Sequence, residues 1–241
     1  MQGKVKTAVI MAAGMGTRFG DMTETIPKGF IKVGGHSMIE RSIQTLIDCG
    51  VERIIIGTGY HREAYEQLAS RYPQIICHFS PRYAETNSMF TLWNCRDIID
   101  DDFLLLESDL VFQKKAITSL QDCPEPDVML VTPVTKFQDQ YYIQVDDNKV
   151  LSGCSTDKDQ VVVYGEMVGI HKISYRFYQE MCSDYAQKVT DHSKLGYEFE
   201  LEDISRHHTP LHVLKVNDLK WYEIDDPADL AYAEEHILPY L

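Results

Sequence analysis

The residues best suited to chemistry lie in one stretch near the start of the chain, residues 12–28 (AAGMGTRFGDMTETIPK). Gly14 and Gly16 allow the backbone to take positive φ values and to approach a ligand closely, so that successive N–H groups can point at phosphate oxygens. Arg18 and Lys28 add a planar guanidinium and a compact ammonium, which hold anionic oxygens in two different ways. The stretch therefore predicts a site for phosphate chemistry.

The position of this loop in the chain supports the same interpretation. It follows an apolar run at residues 5–11 (VKTAVIM), which predicts a buried first strand, and a loop at the carboxyl end of such a strand lies where α/β sheets bind ligands. Two commoner glycine-rich loops do not fit, because Phe19 stands where the fingerprint GxGxxG needs glycine and the P-loop pattern GxxxxGK[ST] is absent. Two glycines alone indicate an ordinary tight turn, whereas Arg18 and the pair Pro27-Lys28 favour a binding loop.

Length and charge narrow the class of protein. The 241 residues and the even spread of apolar runs predict a single domain, residues 1–241. The net charge of −14 argues against nucleic acid as a partner, although Arg18, Lys28 and Lys32 would concentrate enough positive charge for a small anion. No apolar run is long enough to span a bilayer and no signal peptide precedes the first strand, so we expect a cytoplasmic protein without a membrane partner. The six scattered cysteines form no CxxC pair and are expected to be reduced.

Strands and helices alternate through the first half of the chain, which predicts right-handed βαβ crossovers and a mostly parallel sheet. Ser37 is predicted to cap a helix that ends before Gly50. Later the alternation stops, and residues 141–146 and 149–151 have the pattern of two hairpin strands around a turn at residues 147–148, so a mixed sheet with a small antiparallel excursion is expected. The predicted strands are 5–11, 53–57, 74–79, 103–107 and 128–134, and the predicted helices are 38–48, 61–71, 87–99 and 114–120.

Two acids follow predicted strands and could hold a metal ion. Asp109 comes directly after the strand at 103–107 and should lie at the carboxyl edge of the sheet, near the glycine loop. A carboxylate beside polyphosphate is repelled unless a cation lies between them, and Mg²⁺ prefers one or two carboxylates with phosphate oxygens and water. The late segment WYEID supplies Asp225 at a strand end, with Glu223 on the same face of the strand.

The acids that follow this segment have a simpler interpretation. Asp226 suits the N-cap of a last helix, Pro227 its first position and Asp229 the capping-box position. Acids after strands are usually helix caps, so the residues alone leave both roles open for Asp109 and Asp225.

The motif AAGxGxR at residues 12–18, followed by Pro27-Lys28, resembles the signature of nucleotidyltransferases that join an NTP to a small phosphorylated compound. NSMF at residues 87–90 and the EID-type ending resemble most closely the small phosphocholine and 2-aminoethylphosphonate cytidylyltransferases. The resemblance implies a Rossmann-like three-layer α/β fold of the nucleotide-diphospho-sugar transferase type, with a mixed, mostly parallel sheet.

The resemblance also implies a mechanism. Mg²⁺ would be held by Asp109 and Asp225, with Glu223 in support. An oxygen of the acceptor would attack the α-phosphorus of CTP in line, and pyrophosphate would leave. Lys28 would bridge the α-phosphate and the acceptor phosphoryl group, while Arg18 would hold the β and γ phosphates.

A nucleobase pocket is implied beside this triphosphate site. Asparagine and serine side chains offer both donors and acceptors to a base edge. For Thr86 or Asn87, capping of the following helix is an equal alternative. The residues implied as nucleotide-binding are Ala12, Ala13, Gly14, Gly16, Thr58, Gly59, Tyr60, Thr86, Asn87 and Ser88.

The acceptor is expected to carry an amine. Tyr141 and Trp221 could supply part of an aromatic cage for a quaternary ammonium, whereas Glu166 and Glu198 favour a primary ammonium with its three donors. Tyr141 stands where the phosphocholine enzymes would have tryptophan, so the resemblance favours 2-aminoethylphosphonate over phosphocholine. The segment 198–203 also has helical spacing and could be a solvated face.

Four alternatives stay open at this point. The acceptor could be phosphocholine or a sugar 1-phosphate, the chain could be a non-catalytic nucleotide-binding module, or it could be one domain of a larger bifunctional protein. An oligomer is compatible with each of them.

Overall fold

The computed structural model describes residues 3–135 and 140–241. In these residues a large mixed sheet has helices on both of its faces. The strands are β1 (Thr7–Ala12), β2 (Lys32–Val33), β3 (His36–Ser37), β4 (Arg53–Thr58), β5 (Ile75–Phe79), β6 (Phe103–Glu107), β7 (Leu110–Phe112), β8 (Val128–Thr132), β9 (Tyr142–Val145), β10 (Leu151–Ser155), β11 (Gly165–Ile173), β12 (His212–Lys215) and β13 (Trp221–Glu223). The helices are α1 (Met38–Asp48), α2 (Arg62–Ala69), α3 (Ser88–Asn94), α4 (Lys115–Asp122), α5 (Tyr175–Lys188), α6 (Tyr197–His207) and α7 (Pro227–His236).

The sheet has the order β10-β9-β11-β6-β1-β4-β5, with β8 on β11 and β12 on β8. β1 pairs in parallel with β4 and β6, and β4 pairs in parallel with β5. The long strand β11 runs antiparallel to β6, β8 and β9. The predicted mixed, mostly parallel sheet with an antiparallel excursion is confirmed.

Alternate side chains of the central strands enter two separate cores. Ala8 and Ile10 of β1 pack on the face covered by α1, α2 and α4, while Val9 and Met11 pack on the face covered by α3, α5 and α6. A strand that is buried on both faces needs a continuous apolar run, which explains why the first strand shows no polar alternation. The two cores make the predicted three-layer arrangement.

Local sequence signals account for α1. Ser37 Oγ accepts a hydrogen bond from Glu40 N at 3.3 Å and donates one to Glu40 Oε2 at 2.7 Å, and Gly50 takes a φ of 87° beyond the helix end. These contacts satisfy backbone groups that the helix ends leave open. The predicted bounds of this helix and its cap are confirmed.

The predicted hairpin is present, but its second strand begins later than expected. Asp146 Oδ1 accepts hydrogen bonds from the backbone N–H groups of Asn148 and Val150, both at 2.9 Å, and Lys149 takes a positive φ of 62°. Residues in that conformation do not continue a strand. The turn therefore extends through Val150, and β10 occupies Leu151–Ser155. None of the helices within the described ranges is both long and apolar enough to cross a membrane.

Candidate active site

A cavity of about 800 Å³ opens at the carboxyl ends of β1 and β6. Ala13 and Gly14 line it directly after β1, and Glu107, Ser108 and Asp109 line it at the end of β6. These two strands are neighbours in the sheet, so the glycine loop and the acidic strand end meet across one crevice. This is the position at which open α/β sheets bind ligands.

The glycine loop folds back across the mouth of this cavity. Gly16 takes a φ of 62°, and a Cβ there would lie 3.0 Å from Lys28 Cβ. Thr23 Oγ1 donates a hydrogen bond to Gly16 O at 2.9 Å and closes the turn. The prediction of positive φ is wrong for Gly14, whose φ is not in that region and whose Cβ would meet no atom within 4 Å. Gly14 therefore leaves open room in the cavity, and Gly16 makes the turn.

Lys28 lies at the centre of the charged residues. Its Nζ donates to Asp109 Oδ2 and to Asp225 Oδ1, both at 2.5 Å. Arg18 Nη2 donates to the same Asp225 oxygen at 2.7 Å. One ammonium bonds both carboxylates, so these two acids are close enough to share a cation, and Lys28 faces them. By contrast Lys32 is exposed on β2 and is not among the residues that line the cavity.

The distant acid Asp225 is brought to Asp109 by a two-stranded ribbon. β13 pairs antiparallel with β7, and Ile224 N donates to Asp109 O at 3.0 Å. Asp226 Oδ1 caps α7 as predicted, accepting from Ala228 N and Asp229 N. Asp229 departs from the predicted capping box, because its carboxylate accepts from Asp225 N at 2.9 Å. This contact fixes the backbone of Asp225 beside the cavity.

Electrostatics keep Lys28 charged in this position. Burial alone would lower the pKa of its ammonium, but Asp109 and Asp225 outweigh burial and raise the pKa above its ordinary value. The side chain is 14% exposed, so its charge is directed at the cavity with little screening by solvent. Such a group suits an anionic ligand.

The acids could also hold a metal ion. Carboxylate oxygens of Glu107, Asp109 and Glu223 lie within 4.8 Å of one another. Asp109 Oδ1 is buried without a hydrogen-bond partner among the described residues, and a set of carboxylates is the donor chemistry that Mg²⁺ prefers. Burial first, and then repulsion from neighbouring carboxylates, raises the pKa of Glu107 and Glu223. A divalent cation would relieve that repulsion, so the residues fit the predicted cofactor.

This group of acids differs from the predicted ligand set in two members. Asp109 and Glu223 belong to it as predicted, whereas Asp225 bonds Lys28 and Arg18 in the structure. Glu107 was not predicted as a ligand. Its signal was an acid at the end of an otherwise apolar strand, two residues before Asp109.

Part of the predicted nucleotide pocket lines the cavity. These residues are Ala13, Gly14, Gly16, Thr86, Asn87 and Ser88. Asn87 also caps α3, since its Oδ1 accepts from Ser88 N at 2.8 Å, and its Nδ2 donates to Lys194 O at 3.2 Å. The capping role and the cavity position thus occur together in one residue.

The other predicted nucleotide-binding residues lie behind the lining. Ala12 is buried in β1, and Thr58 Oγ1 donates to His78 O at 3.2 Å. Tyr60 N donates to Ala13 O at 3.3 Å, and a Cβ on Gly59 would lie 2.6 Å from Ala13 O. This second loop therefore supports the lining residue Ala13.

The predicted acceptor residues divide in the same way. Tyr141 and Glu198 line the cavity. Glu166 and Trp221 were predicted beside them, but neither is among the described residues of the lining. Glu166 Oε2 accepts from Thr135 N at 2.5 Å, and the buried Trp221 donates its indole N–H to Thr132 Oγ1 at 3.0 Å.

Tyr197 was missed by sequence reasoning and connects the two sides of the cavity. Its Oη donates to Glu107 Oε1 at 2.5 Å, and its backbone N–H donates to Ser88 Oγ at 3.0 Å. Gly169 contacts the other side of Glu107, because a Cβ there would lie 2.8 Å from Glu107 Oε2. These partners are far apart in the chain, so no local spacing could have revealed them.

Comparison with known proteins assigns the chain to a family of nucleotidyltransferases. The family model for the MobA-like NTP transferase domain matches residues 8–188. The 2-aminoethylphosphonate cytidylyltransferase of Lancefieldella rimae is 38% identical over 111 residues, which cover 46% of this chain and 45% of that protein. The CMP-5'-(3-aminopropyl)phosphonate synthase of Streptomyces rubellomurinus is 25% identical over 244 residues, which cover 96% of this chain and 39% of that protein. The chain thus spans less than half of the length of these two relatives.

A solved structure shows the same fold. The CTP:phosphocholine cytidylyltransferase of Streptococcus pneumoniae superposes with a TM-score of 0.80 at 22% identity, over 96% of this chain and 98% of that one. The predicted fold of the nucleotide-diphospho-sugar transferase type is confirmed.

Proposed function

The chain belongs to the MobA-like NTP transferase domain family, and from this premise we propose that it is a CTP-dependent cytidylyltransferase. It transfers CMP to a small phosphonate or phosphate amine, with 2-aminoethylphosphonate as the preferred acceptor, and releases pyrophosphate. The observation that carries this proposal is the Lys28 ammonium, bonded to both Asp109 and Asp225 beside the glycine loop. Two of the relatives described above act on aminoalkylphosphonates by name, which supports the same acceptor class.

The charged residues would act by position and by neutralising charge. When an acceptor oxygen attacks the α-phosphorus, negative charge moves towards the leaving pyrophosphate, and fixed cations stabilise that change. Lys28 would contact the α-phosphate and the acceptor phosphoryl group. Arg18, whose side chain is 52% exposed at the mouth of the cavity, would contact the β and γ phosphates. Mg²⁺, when bound by Asp109 and Asp225 with Glu223 in support, would supply further neutralisation of the phosphates.

The nucleoside is proposed to lie on the side of the glycine loop. Asn87 and Ser88 begin α3 at the edge of the cavity and carry donors and acceptors that suit a base edge. Ala13 and Gly14, which line the same cavity, offer backbone groups. The preference for CTP follows from the relatives and not from this geometry.

A second acceptor, phosphocholine, is favoured by one observation. Tyr141 lines the cavity, as Glu198 does, and its ring packs edge-to-face on Phe199, with ring centroids 5.7 Å apart. The ring of Tyr141 could form part of a cage for a trimethylammonium group. We rank 2-aminoethylphosphonate first because the carboxylate of Glu198 also lines the cavity and can accept a hydrogen bond from a primary ammonium.

Pyrophosphate release tests the proposal. The chain is assayed with each of the four NTPs against 2-aminoethylphosphonate, phosphocholine, phosphoethanolamine and glucose 1-phosphate, with and without Mg²⁺. We expect the highest kcat/KM with CTP and 2-aminoethylphosphonate, and only in the presence of Mg²⁺. Release with glucose 1-phosphate above that with every amine would contradict the acceptor class, and no release with any pair would contradict the activity of residues 1–241 as a single transferase domain.

A further inference from the structure

One end of the cavity is strongly acidic. We define the acidic end by Glu107, Glu198 and Glu223, all of which line the cavity. Together with Asp109 and Asp225, the described lining carries five carboxylates, whereas its basic side chains are Arg18 and Lys28. Both cations bond Asp225, and Lys28 also bonds Asp109. The negative charges of the described lining therefore outnumber its positive charges.

Glu198 has a buried oxygen that points to a ligand. The side chain is 5% exposed, and within the described part of the chain its Oε2 has no hydrogen-bond partner. Gly196 makes room for this oxygen, since a Cβ there would lie 2.2 Å from it. A position in the first turn of α6 stabilises a carboxylate, but it does not supply the missing donor. A buried acceptor left without a donor is costly unless a ligand provides one.

Glu107 is fixed in orientation beside it. Tyr197 Oη donates to one carboxylate oxygen at 2.5 Å, and Gly169, with a φ of +75°, allows the other oxygen to approach the backbone of β11. A side chain at Gly169 would be strained by that φ and would collide with the carboxylate. Three elements, β6, β11 and α6, therefore hold this group where it lines the cavity.

We propose that Glu198 forms a subsite for a primary ammonium group of the acceptor. A primary ammonium brings three N–H donors, one of which can satisfy the open oxygen of Glu198, whereas a trimethylammonium group brings none. This inference rests on the proposed function, because it assumes that the phosphonate of the same acceptor lies at Lys28. The subsite makes the enzyme select primary amines over quaternary ones.

Glu198→Gln tests the subsite more specifically than a substitution of Glu107 would, because Glu198 is outside the group of acids that could hold a metal ion. Glutamine keeps the size of the side chain and removes its charge. Glu202→Gln is a matched control on the same helix, where the carboxylate accepts from Cys154 N and Arg206 and does not line the described cavity. Thermal unfolding of both variants checks that each is folded.

The binding experiment compares 2-aminoethylphosphonate with ethylphosphonate, which lacks the amine. Titration calorimetry with a non-hydrolysable CTP analogue and Mg²⁺ present should show that the wild-type protein binds the amine more tightly by about 10–100-fold, the range expected for charged hydrogen bonds. Glu198→Gln should lose most of that preference, and Glu202→Gln should keep it. Equal binding of the two ligands by the wild type, or an unchanged preference in Glu198→Gln, would overturn the subsite.

Turnover separates this inference from the proposed function. If Glu198→Gln turns over CTP with 2-aminoethylphosphonate at an unchanged KM, the subsite is wrong and the function stands. If the wild type binds the amine through Glu198 but releases no pyrophosphate from CTP, the subsite stands and the function is wrong. A tenfold or greater rise in KM for 2-aminoethylphosphonate, without a similar rise for ethylphosphonate, supports both.

Discussion

Lys28 and Lys188 each contact several carboxylates, but the two clusters have different surroundings. Lys28 bonds Asp109 and Asp225 inside a cavity of about 800 Å³, where Asp109 keeps a buried oxygen without a hydrogen-bond partner in the described chain. The acids there come from separate parts of the sheet and ribbon. More carboxylates line this cavity than Lys28 contacts, which is a reason to infer a cationic ligand.

The second cluster joins two packed helices. Lys188, at the end of α5, lies 3.0 Å from Glu200 and 2.9 Å from Asp203 of α6, and it also contacts Asp184 one turn earlier on its own helix. The ammonium thus contacts every carboxylate of the group, beside a smaller groove of about 360 Å³. Glu200 Oε1, like Asp109 Oδ1, is buried without a hydrogen-bond partner in the described chain, so the two clusters differ in the cavity and in how many of the acids their lysine reaches.

The largest effect should come from an acid of the cavity. Asp109→Asn removes a carboxylate that contacts Lys28 and fits a metal ion, so we expect pyrophosphate release to fall by about a hundredfold or more. Chelation of Mg²⁺ should stop release by the wild type, and added Mg²⁺ should restore it. Full activity of Asp109→Asn with CTP and 2-aminoethylphosphonate would show that the cavity cluster is structural, like that of Lys188.

A smaller effect on stability is expected at the second cluster. Lys188→Met leaves Glu200, which is fully buried, without its cation. We expect the free energy of unfolding to fall by about 1–3 kcal/mol, measured by urea denaturation, while turnover at saturating substrate is kept. Loss of turnover with unchanged stability would reverse the assignment of the two clusters.

The smallest effect should be a change in pH dependence. Burial raises the pKa of Glu200 from 4.5 to about 7, so the folded protein holds this proton more tightly than the unfolded chain. The stabilisation is complete below pH 4.5 and is lost as the pH rises through 7. Glu200→Gln does not titrate, so its stability should decline less between pH 5 and 8 than that of the wild type. Parallel curves in urea denaturation would contradict the raised pKa.

Local signals made much of the fold predictable. The cap of Ser37, the glycine after α1 and the apolar runs of the parallel strands act within a few residues of one another, and their predictions are confirmed. The length of the hairpin turn was not predictable in this way. It depends on the carboxylate of Asp146 bonding two backbone groups and on a positive φ at Lys149, which the sequence pattern does not express.

The part of the candidate site that lies at the carboxyl ends of the parallel strands was predictable. Acids and glycines after strands meet at the carboxyl edge of a parallel sheet, and the structure places Asp109 there beside the glycine loop. Asp225 joins them through the antiparallel ribbon of β7 and β13, which this rule does not describe. Glu107 and Tyr197 were missed because their contact joins β6 to α6 across 90 residues. Trp221 was assigned to the acceptor by residue type alone, and its indole packs instead against Thr132 in the core.

Turnover by Lys28→Ala tests the account most directly, because every proposed role in the cavity depends on this ammonium facing the phosphates. With CTP, 2-aminoethylphosphonate and Mg²⁺, we predict a loss of kcat/KM of about a hundredfold or more in a protein that still unfolds cooperatively. Near-wild-type pyrophosphate release by this variant would contradict the proposed transferase site.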